Sequence, residues 1–204
     1  MKIKNHMFNK VIKWAKNTIF NQSQIRRDEA FEIQHHNIVI EGQSYFLAQA
    51  TNFDIPEILA VEKAVYHGKT PWDRLAFIHE FRRKSDRFYM VVRHEDQMIG
   101  FIGASFNDEK KQSHITNVAI IPEYQKRGVG SFLIQAILNK SKYINYQATT
   151  LEVRKDNEQA QKLYKKLGFQ EIGIKKSYYF GDHEDAISMS LDLSNWKGGY
   201  LGTK

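Results

Sequence analysis

The 204-residue sequence contains no cysteine. That excludes disulfides, thiolate metal sites and a cysteine nucleophile, and it fits a cytoplasmic protein. No apolar run approaches the roughly 18 residues that a membrane span requires. Internal repeats and low-complexity tracts are also missing. The eight histidines include no H-x-x-x-H pair, so no metal site stands out. The basic–aromatic strand motifs of nucleic-acid-binding modules are not evident either. The length suits one domain with a full core and is short for two. An apolar content of 42% is ordinary for such a domain.

Charge is where the composition leans. The net charge of +7 favours acidic partners such as phosphate ligands, RNA-rich particles or anionic lipid. Lys2, Lys4, Lys10, Lys13 and Lys16 put five positive charges and no acid into the first 20 residues. In the same stretch Phe8, Val11, Ile12, Ala15 and Ile19 share one helical face. The lysines interrupt each apolar run, which argues against a secretory signal. Docking of this helix on the main domain is the favoured reading. A frayed tail, or an arm touching membrane or RNA, is the alternative. The polar stretch that follows, 21–37, reads as a linker or exposed helix.

From Tyr45 the pattern becomes regular. "YFLAQA" is expected as a strand, and "DIPEILAVEKAVY" as a helix with Asp54 as N-cap and Pro56 in its first turn. "PWDRLAFIHEFRRK" reads as a second helix, and "RFYMVVRHEDQMIGFIGASF" as a hairpin around a polar turn. Strand "SHITNVAII", helix "GVGSFLIQAILNKSK", strand "ATTLEVR", helix "NEQAQKLYKKLG" and the strands "FQEIGIKK" and "DAISMSLDL" complete the chain. The order is β-α-α-β-β-β-α-β-α-β-β, an α/β fold with a mixed sheet and helices on its faces.

The stretch "VAIIPEYQKRGVG", residues 118–130, hands a buried strand to a helix through two glycines. Backbone N–H groups at such a junction favour an anion. The spacing fits neither a Walker loop nor a dinucleotide fingerprint. Q-x-x-G-x-G after a strand and a proline turn resembles the acyl-CoA pyrophosphate loop of the GNAT N-acetyltransferase superfamily. Downstream, "LEVRKDNEQAQKLYKKLGF" and "SYYFGDHEDAISMSLDL" resemble its ribosomal-protein-alanine N-acetyltransferase branch. The resemblance spans about 46–193, leaving 1–45 as a basic extension and 194–204 as a tail. It implies a GNAT fold, with a mostly antiparallel central sheet flanked by helices. It also implies acetyl-CoA as co-substrate without a metal, and the N-terminal amine of a small-subunit ribosomal protein as acceptor. Carried over residue by residue, Gln125, Lys126, Arg127, Gly128, Val129 and Gly130 hold the pyrophosphate. Val118, Ala119 and Ile120 offer backbone groups to the acetyl and pantetheine arm, and Asn157 contacts the cofactor. Asp156 and Gln159 have the spacing of a capping box for the helix that Gly168 closes. Lys175 and Lys176 stand where the branch is expected to carry arginines.

Acetyl transfer to an amine requires a neutral nitrogen, a polarised carbonyl and a proton for the departing thiolate. An α-amine, of pKa about 7.7–8.0, is already partly neutral at pH 7, unlike lysine. By resemblance Glu152 is the proton acceptor, and strand alternation turns it away from Leu151 and Val153. Equally, a strand carboxylate in that place can be merely solvated. Tyr164 is the matching acid, although Ala160, Tyr164 and Leu167 also form a plain core face. His114 is an alternative base or an ordinary structural histidine. Tyr178 and Tyr179 form a lip for the acceptor or a cover for the sheet edge. With no nucleophile in a suitable context, direct attack in a ternary complex is expected. Two other functions stay open. One is acetylation of a small amine such as a polyamine or aminoglycoside, which an acidic, deep acceptor pocket would favour. The other is a non-catalytic acyl-CoA-binding module, against which the presence of both Glu152 and Tyr164 argues.

Overall fold

A computed structural model of the chain describes residues 24–33, 36–179 and 181–198. The amphipathic stripe from Phe8 to Ile19 and the last six residues lie outside them. Eight strands form one sheet: β1 (Asn37–Ile40), β2 (Gln43–Gln49), β3 (Arg87–His94), β4 (Gln97–Asn107), β5 (Gln112–Ile120), β6 (Ala148–Arg154), β7 (Gln170–Lys175) and β8 (Ala186–Asp192). Their spatial order is β1-β2-β3-β4-β5-β6-β8-β7. Each neighbouring pair is antiparallel except β5 with β6. The helices are α1 (24–31), α2 (Ile55–Val65), α3 (Arg74–Arg82), α4 (Val129–Tyr143) and α5 (Glu158–Leu167). The sheet is mixed, mostly antiparallel and flanked by helices, as expected from the sequence.

Two elements lie upstream of residue 46, inside the stretch read as an extension. β1 is only four residues long and joins β2 through Glu41 and Gly42, both at positive φ (49° and 82°). Such a two-residue turn matches the twist of an antiparallel hairpin. The polar segment read as a linker contains α1, which is anchored on the domain rather than loose. Arg27 is 5% exposed, pairs with Asp108, and reaches Tyr146 Oη at 3.0 Å. Lys140 Nζ, from α4, donates to the carbonyls of Ala30 (2.5 Å) and Glu32 (3.0 Å). These are the carbonyls that a helix C-terminus leaves without partners. Phe31 stacks on Phe88 with ring centroids 4.8 Å apart.

Two expected caps are built differently. Asp54 stands at the N-terminus of α2 without capping it. Its carboxylate instead accepts from Thr51 N (2.8 Å) and pairs with Arg93 at 3.2 Å. The Asp156 and Gln159 box does not form, because Asp156 is drawn to Arg154 at 2.8 Å. Asn157 Oδ1 caps α5 instead, accepting from Ala160 N at 3.0 Å.

Between β5 and β6 the parallel pairing covers only Gln112↔Ala148 to Ile115↔Leu151. At this closed end Ser141 of α4 donates to Ser113, whose hydroxyl is 2.8 Å from that of Thr149. All three are fully buried. Just beyond it, β5 bulges. Gly103 pairs with Asn117 and Ala104 with Ile115, so Thr116 has no partner on β4. Bulges of this kind end pairing and re-aim a strand. Past the bulge β5 and β6 part, and the β5 edge from Thr116 to Ile120 is left facing a cleft.

Substituting Phe31 by Ala removes a buried ring and is expected to cost about 3 kcal/mol. Phe53→Ala, at a ring 93% exposed, is expected to stay within about 0.5 kcal/mol. Urea denaturation of the two variants checks whether the N-terminal helix belongs to the folding unit.

Candidate active site

The loop after β5 is an amide-lined turn. Lys126 (φ 59°) and Gly128 (φ 77°) both have positive φ. Among the described residues, the amides of 126–131 donate to no acceptor within the protein. The last three also form the first turn of α4, where helical amides carry the positive end of the dipole. A diphosphate therefore fits this turn by chemistry. Gly128 is required by its own backbone, and its Cβ would come 3.0 Å from both Glu41 and Ile40 of the β1–β2 hairpin. Gly130 is different, since a Cβ there would find Leu163 at 3.7 Å and Ile120 at 3.9 Å, ordinary contacts.

The other loop residues divide by role. Gln125 turns inward, and its Nε2 donates to the Ile120 carbonyl at 2.9 Å, bracing the loop. Arg127 lies over the Tyr124 ring at 5.0 Å. Val129 is buried in the core, leaving only its amide for a ligand. Val118, Ala119 and Ile120 lie on the β5 edge that β6 does not cover. Asn157 engages its Oδ1 in the cap of α5.

Glu152 and His114 face each other where β5 and β6 begin to part. Glu152 Oε2 is 3.1 Å from His114 Nε2, while Oε1 accepts from Lys175 Nζ at 2.8 Å and Ser188 Oγ at 3.4 Å. His114 Nδ1 lies 2.9 Å from Thr150 Oγ1, so both ring nitrogens have partners. Burial alone would raise the Glu152 carboxyl. The hydrogen bonds and charges of His114 and Lys175 outweigh it and lower the pKa to about 2. Lys175 is raised in turn, chiefly by its bond to Glu152. As expected, Leu151 and Val153 point the other way, into the core.

Tyr164 is 7% exposed and packs edge-on against Phe169. Its hydroxyl has no hydrogen-bond partner among the described residues. Burial, then the neighbouring phenols of Tyr66 and Tyr179, push its ionisation to higher pH. Tyr178, 46% exposed, meets Tyr179 edge-on at 5.3 Å. Lys175 lies over the first ring and Arg154 over the second. A cavity of about 490 Å³ opens at the α2–α3 connection, lined in part by Trp72, Asp73, His79 and Glu80. Among the described residues no cluster of three or more His, Asp or Glu is placed to hold a metal.

Residues 53–169 match the Acetyltransferase (GNAT) family. The chain belongs to that family. It is 34% identical over 141 residues to a putative [ribosomal protein bS18]-alanine N-acetyltransferase of Bacillus subtilis, covering 69% of this chain and 91% of that protein. A [ribosomal protein bS18]-alanine N-acetyltransferase of Salmonella typhimurium is 30% identical over 144 residues, 69% of this chain and 93% of its own. The crystal structure of the ribosomal-protein-S18-alanine N-acetyltransferase from Escherichia coli superposes with a TM-score of 0.65 at 24% identity, over 73% of this chain and 94% of that one. This GNAT chain is an acetyl-CoA-dependent N-acetyltransferase. The resemblance read from the sequence is the family found by comparison.

Two participants in the site were not read from the sequence. Lys175 registered only as a departure from the branch pattern, and Ser188 carries no local signal.

Gly130→Ala is expected to leave the melting temperature unchanged or slightly higher, since the added methyl makes only ordinary contacts and Ala favours helix. The same methyl narrows the cleft between α4, Leu163 and β5. Acetyl-CoA binding should therefore weaken about tenfold, ~1.4 kcal/mol, measured by titration calorimetry.

Proposed function

We propose that this enzyme acetylates the N-terminal α-amine of a protein, and that its acceptor is the N-terminal alanine of ribosomal protein bS18 in the cytoplasm. The identity to enzymes named for that reaction, over more than two thirds of the chain, carries the reading. The open cavity at Trp72 and Glu80 and the exposed Tyr178 beside Tyr179 support it as surfaces on which a peptide could lie. An extended N-terminal segment needs such a groove, whereas a small amine is better held in an enclosed acidic pocket.

In this reading the amides of 126–131 bind the diphosphate of acetyl-CoA, and the free β5 edge from Thr116 to Ile120 aligns the acyl arm. Acetyl-CoA supplies the activated acyl group. Tyr164 gives its proton to the sulfur as the C–S bond breaks. Burial keeps that phenol protonated across the working range, so the proton is in place at each turnover. Glu152 is ionised at every pH above about 2. A carboxylate that weakly basic takes up a proton poorly. Its use is as a fixed negative charge, held by His114 and Lys175, that stabilises the positive nitrogen formed during attack.

Incubation with acetyl-CoA and peptides that differ only at the first residue, beside a control whose only amine is a lysine, tests the acceptor by mass. N-terminal acetylation favouring alanine is expected, and modification of the lysine control alone would overturn the reading. Tyr164→Phe should lower kcat by a factor of about 10²–10⁴ with little change in melting temperature. Full activity there would remove the acid role. Glu152→Gln should slow turnover by the same factor from about pH 6 to about pH 9, because the charge it supplies does not titrate there. A deficit that vanishes at high pH would instead make Glu152 the base.

A further inference from the structure

We infer that the outer face of α3, together with Phe53, is a docking surface for single-stranded RNA, so that the enzyme meets its acceptor on an RNA-bearing particle. The choice of RNA rests on the proposed reading, in which the acceptor is a ribosomal protein, and deepens it.

The face follows from the pattern of α3. Phe77 is fully buried, Phe81 packs on the core one turn later, and Glu80 is held by Arg87 at 2.5 Å. At about 3.6 residues per turn, these side chains leave Arg74, Leu75 and Arg82 on the remaining arc. All three are exposed, and the exposed Lys84 continues the line just past the helix end. Arg74 and Arg82 lie about 12 Å apart along the axis.

The cations of this face are uncompensated, because the acids nearby have other tasks. Asp73 Oδ1 caps α3 at the Ala76 amide (2.8 Å), and Asp86 pairs with Arg83 and Arg87. Asp54 and Glu57 both hold Arg93. Among the described residues, Arg74, Arg82 and Lys84 have no carboxylate within ion-pair distance. A solvated cation needs no partner, so charge alone does not define a surface.

The second observation is an aromatic ring. The short 3-10 turn Asn52–Asp54 lies against α3 and carries Phe53, whose ring is 93% exposed. No other large apolar side chain among the described residues is as exposed. The turn does not need that ring, since Thr51 N donates to Asp54 Oδ2 at 2.8 Å and Phe53 N to Thr51 Oγ1 at 3.3 Å. Leu75, on the arc of α3 itself, is 63% exposed. A line of free cations beside a free ring suits single-stranded nucleic acid: phosphates meet the cations and an unstacked base lies on the ring. A membrane-surface helix instead inserts a broad apolar face. That face of α3, Phe77 with Phe81, is already turned into the core.

The surface adjoins the site. Asp73, Ala76, His79 and Glu80 of the same helix line the cavity at the α2–α3 connection. Glu80 Oε2 is 3.2 Å from the Tyr89 hydroxyl, which lies 3.3 Å from Thr116 Oγ1 on the free β5 edge. RNA on the outer arc is therefore about one helix diameter, ~10–12 Å, from the cavity. A protein tail that leaves the RNA there reaches the cleft without crossing the domain. Docking of this kind raises the local concentration of acceptor and leaves the chemical step as it is.

The test uses the full chain in three forms: wild type, Phe53→Ala, and the triple variant Arg74→Gln, Arg82→Gln, Lys84→Gln. The lysines of the first 20 residues are present in all three, so differences report this face. Melting temperatures should agree, because the four side chains are exposed. Binding to a fluorescein-labelled uridine oligonucleotide is followed by anisotropy across a salt series. The triple variant should bind more weakly, with a slope of log Kobs against log salt shallower by about 2, from three contacts at about 0.7 each. Phe53→Ala should bind about tenfold more weakly, the loss of one stacked base, with its salt slope unchanged. All three should acetylate a free alanine-initiated peptide with the same kcat/KM. For bS18 carried on small ribosomal subunits, Phe53→Ala should lose about tenfold in kcat/KM. Equal RNA affinity in the three forms overturns the docking surface, and so does tighter binding to phosphatidylserine vesicles than to RNA. If the triple variant does not fold, an unchanged RNA affinity in Phe53→Ala overturns it alone. A wild type that acetylates no N-terminal peptide overturns the proposed function, and the anisotropy series still decides the surface.

Discussion

The rest of the molecule depends on where the β5–β6 pairing stops. Four register pairs hold the two parallel strands together, and the hydroxyls of Ser113, Ser141 and Thr149 tie α4 across that closed end. The bulge at Thr116 then turns the remaining β5 edge away. Its exposed backbone groups would be a liability on an ordinary sheet edge. Here they lie inside a cleft that a linear, hydrogen-bonding acyl arm can fill. Because α4 starts at the open end of the same cleft, its unpaired amides stand where, in the proposed reading, the charged end of that arm would lie. One interruption in a ladder thus creates both the slot and the cluster of free amides at its mouth.

Electrostatics then sets the wall of the slot on the β6 side. Glu152 is partly buried, yet a lysine, an imidazole and a serine on its two oxygens keep it charged. The phenols of Tyr164 and Tyr179 stay protonated because burial disfavours phenolate. Function on this fold resides in these placements and not in the sheet itself.

Much of this was legible in the residues. The alternation of "ATTLEVR" matches β6 end to end, and the polar "HEDQ" turn lies where β3 meets β4. The glycines of the loop were also identified from spacing. What the sequence concealed depends on contacts distant in the chain. β1 has only "NIVI" to announce it, too short for a periodic signal beside its polar flanks. α1 is polar overall, and it is held by Arg27 and Phe31 against residues more than fifty positions away. The Asp156 spacing was right for a cap, but Arg154 competes for that carboxylate and Asn157 takes the task. Glu152 could be placed at the cleft by alternation, whereas the partners that fix its ionisation come from β5, β7 and β8.

The bond from Lys140 to the end of α1 spans 110 positions of sequence. During synthesis at about 5–20 residues per second, that separation amounts to roughly 5–20 seconds. Over this interval α1 has been made, but neither its cap nor the Tyr146 and Asp108 partners of Arg27 are complete. The first helix among the described residues is therefore among the last to settle.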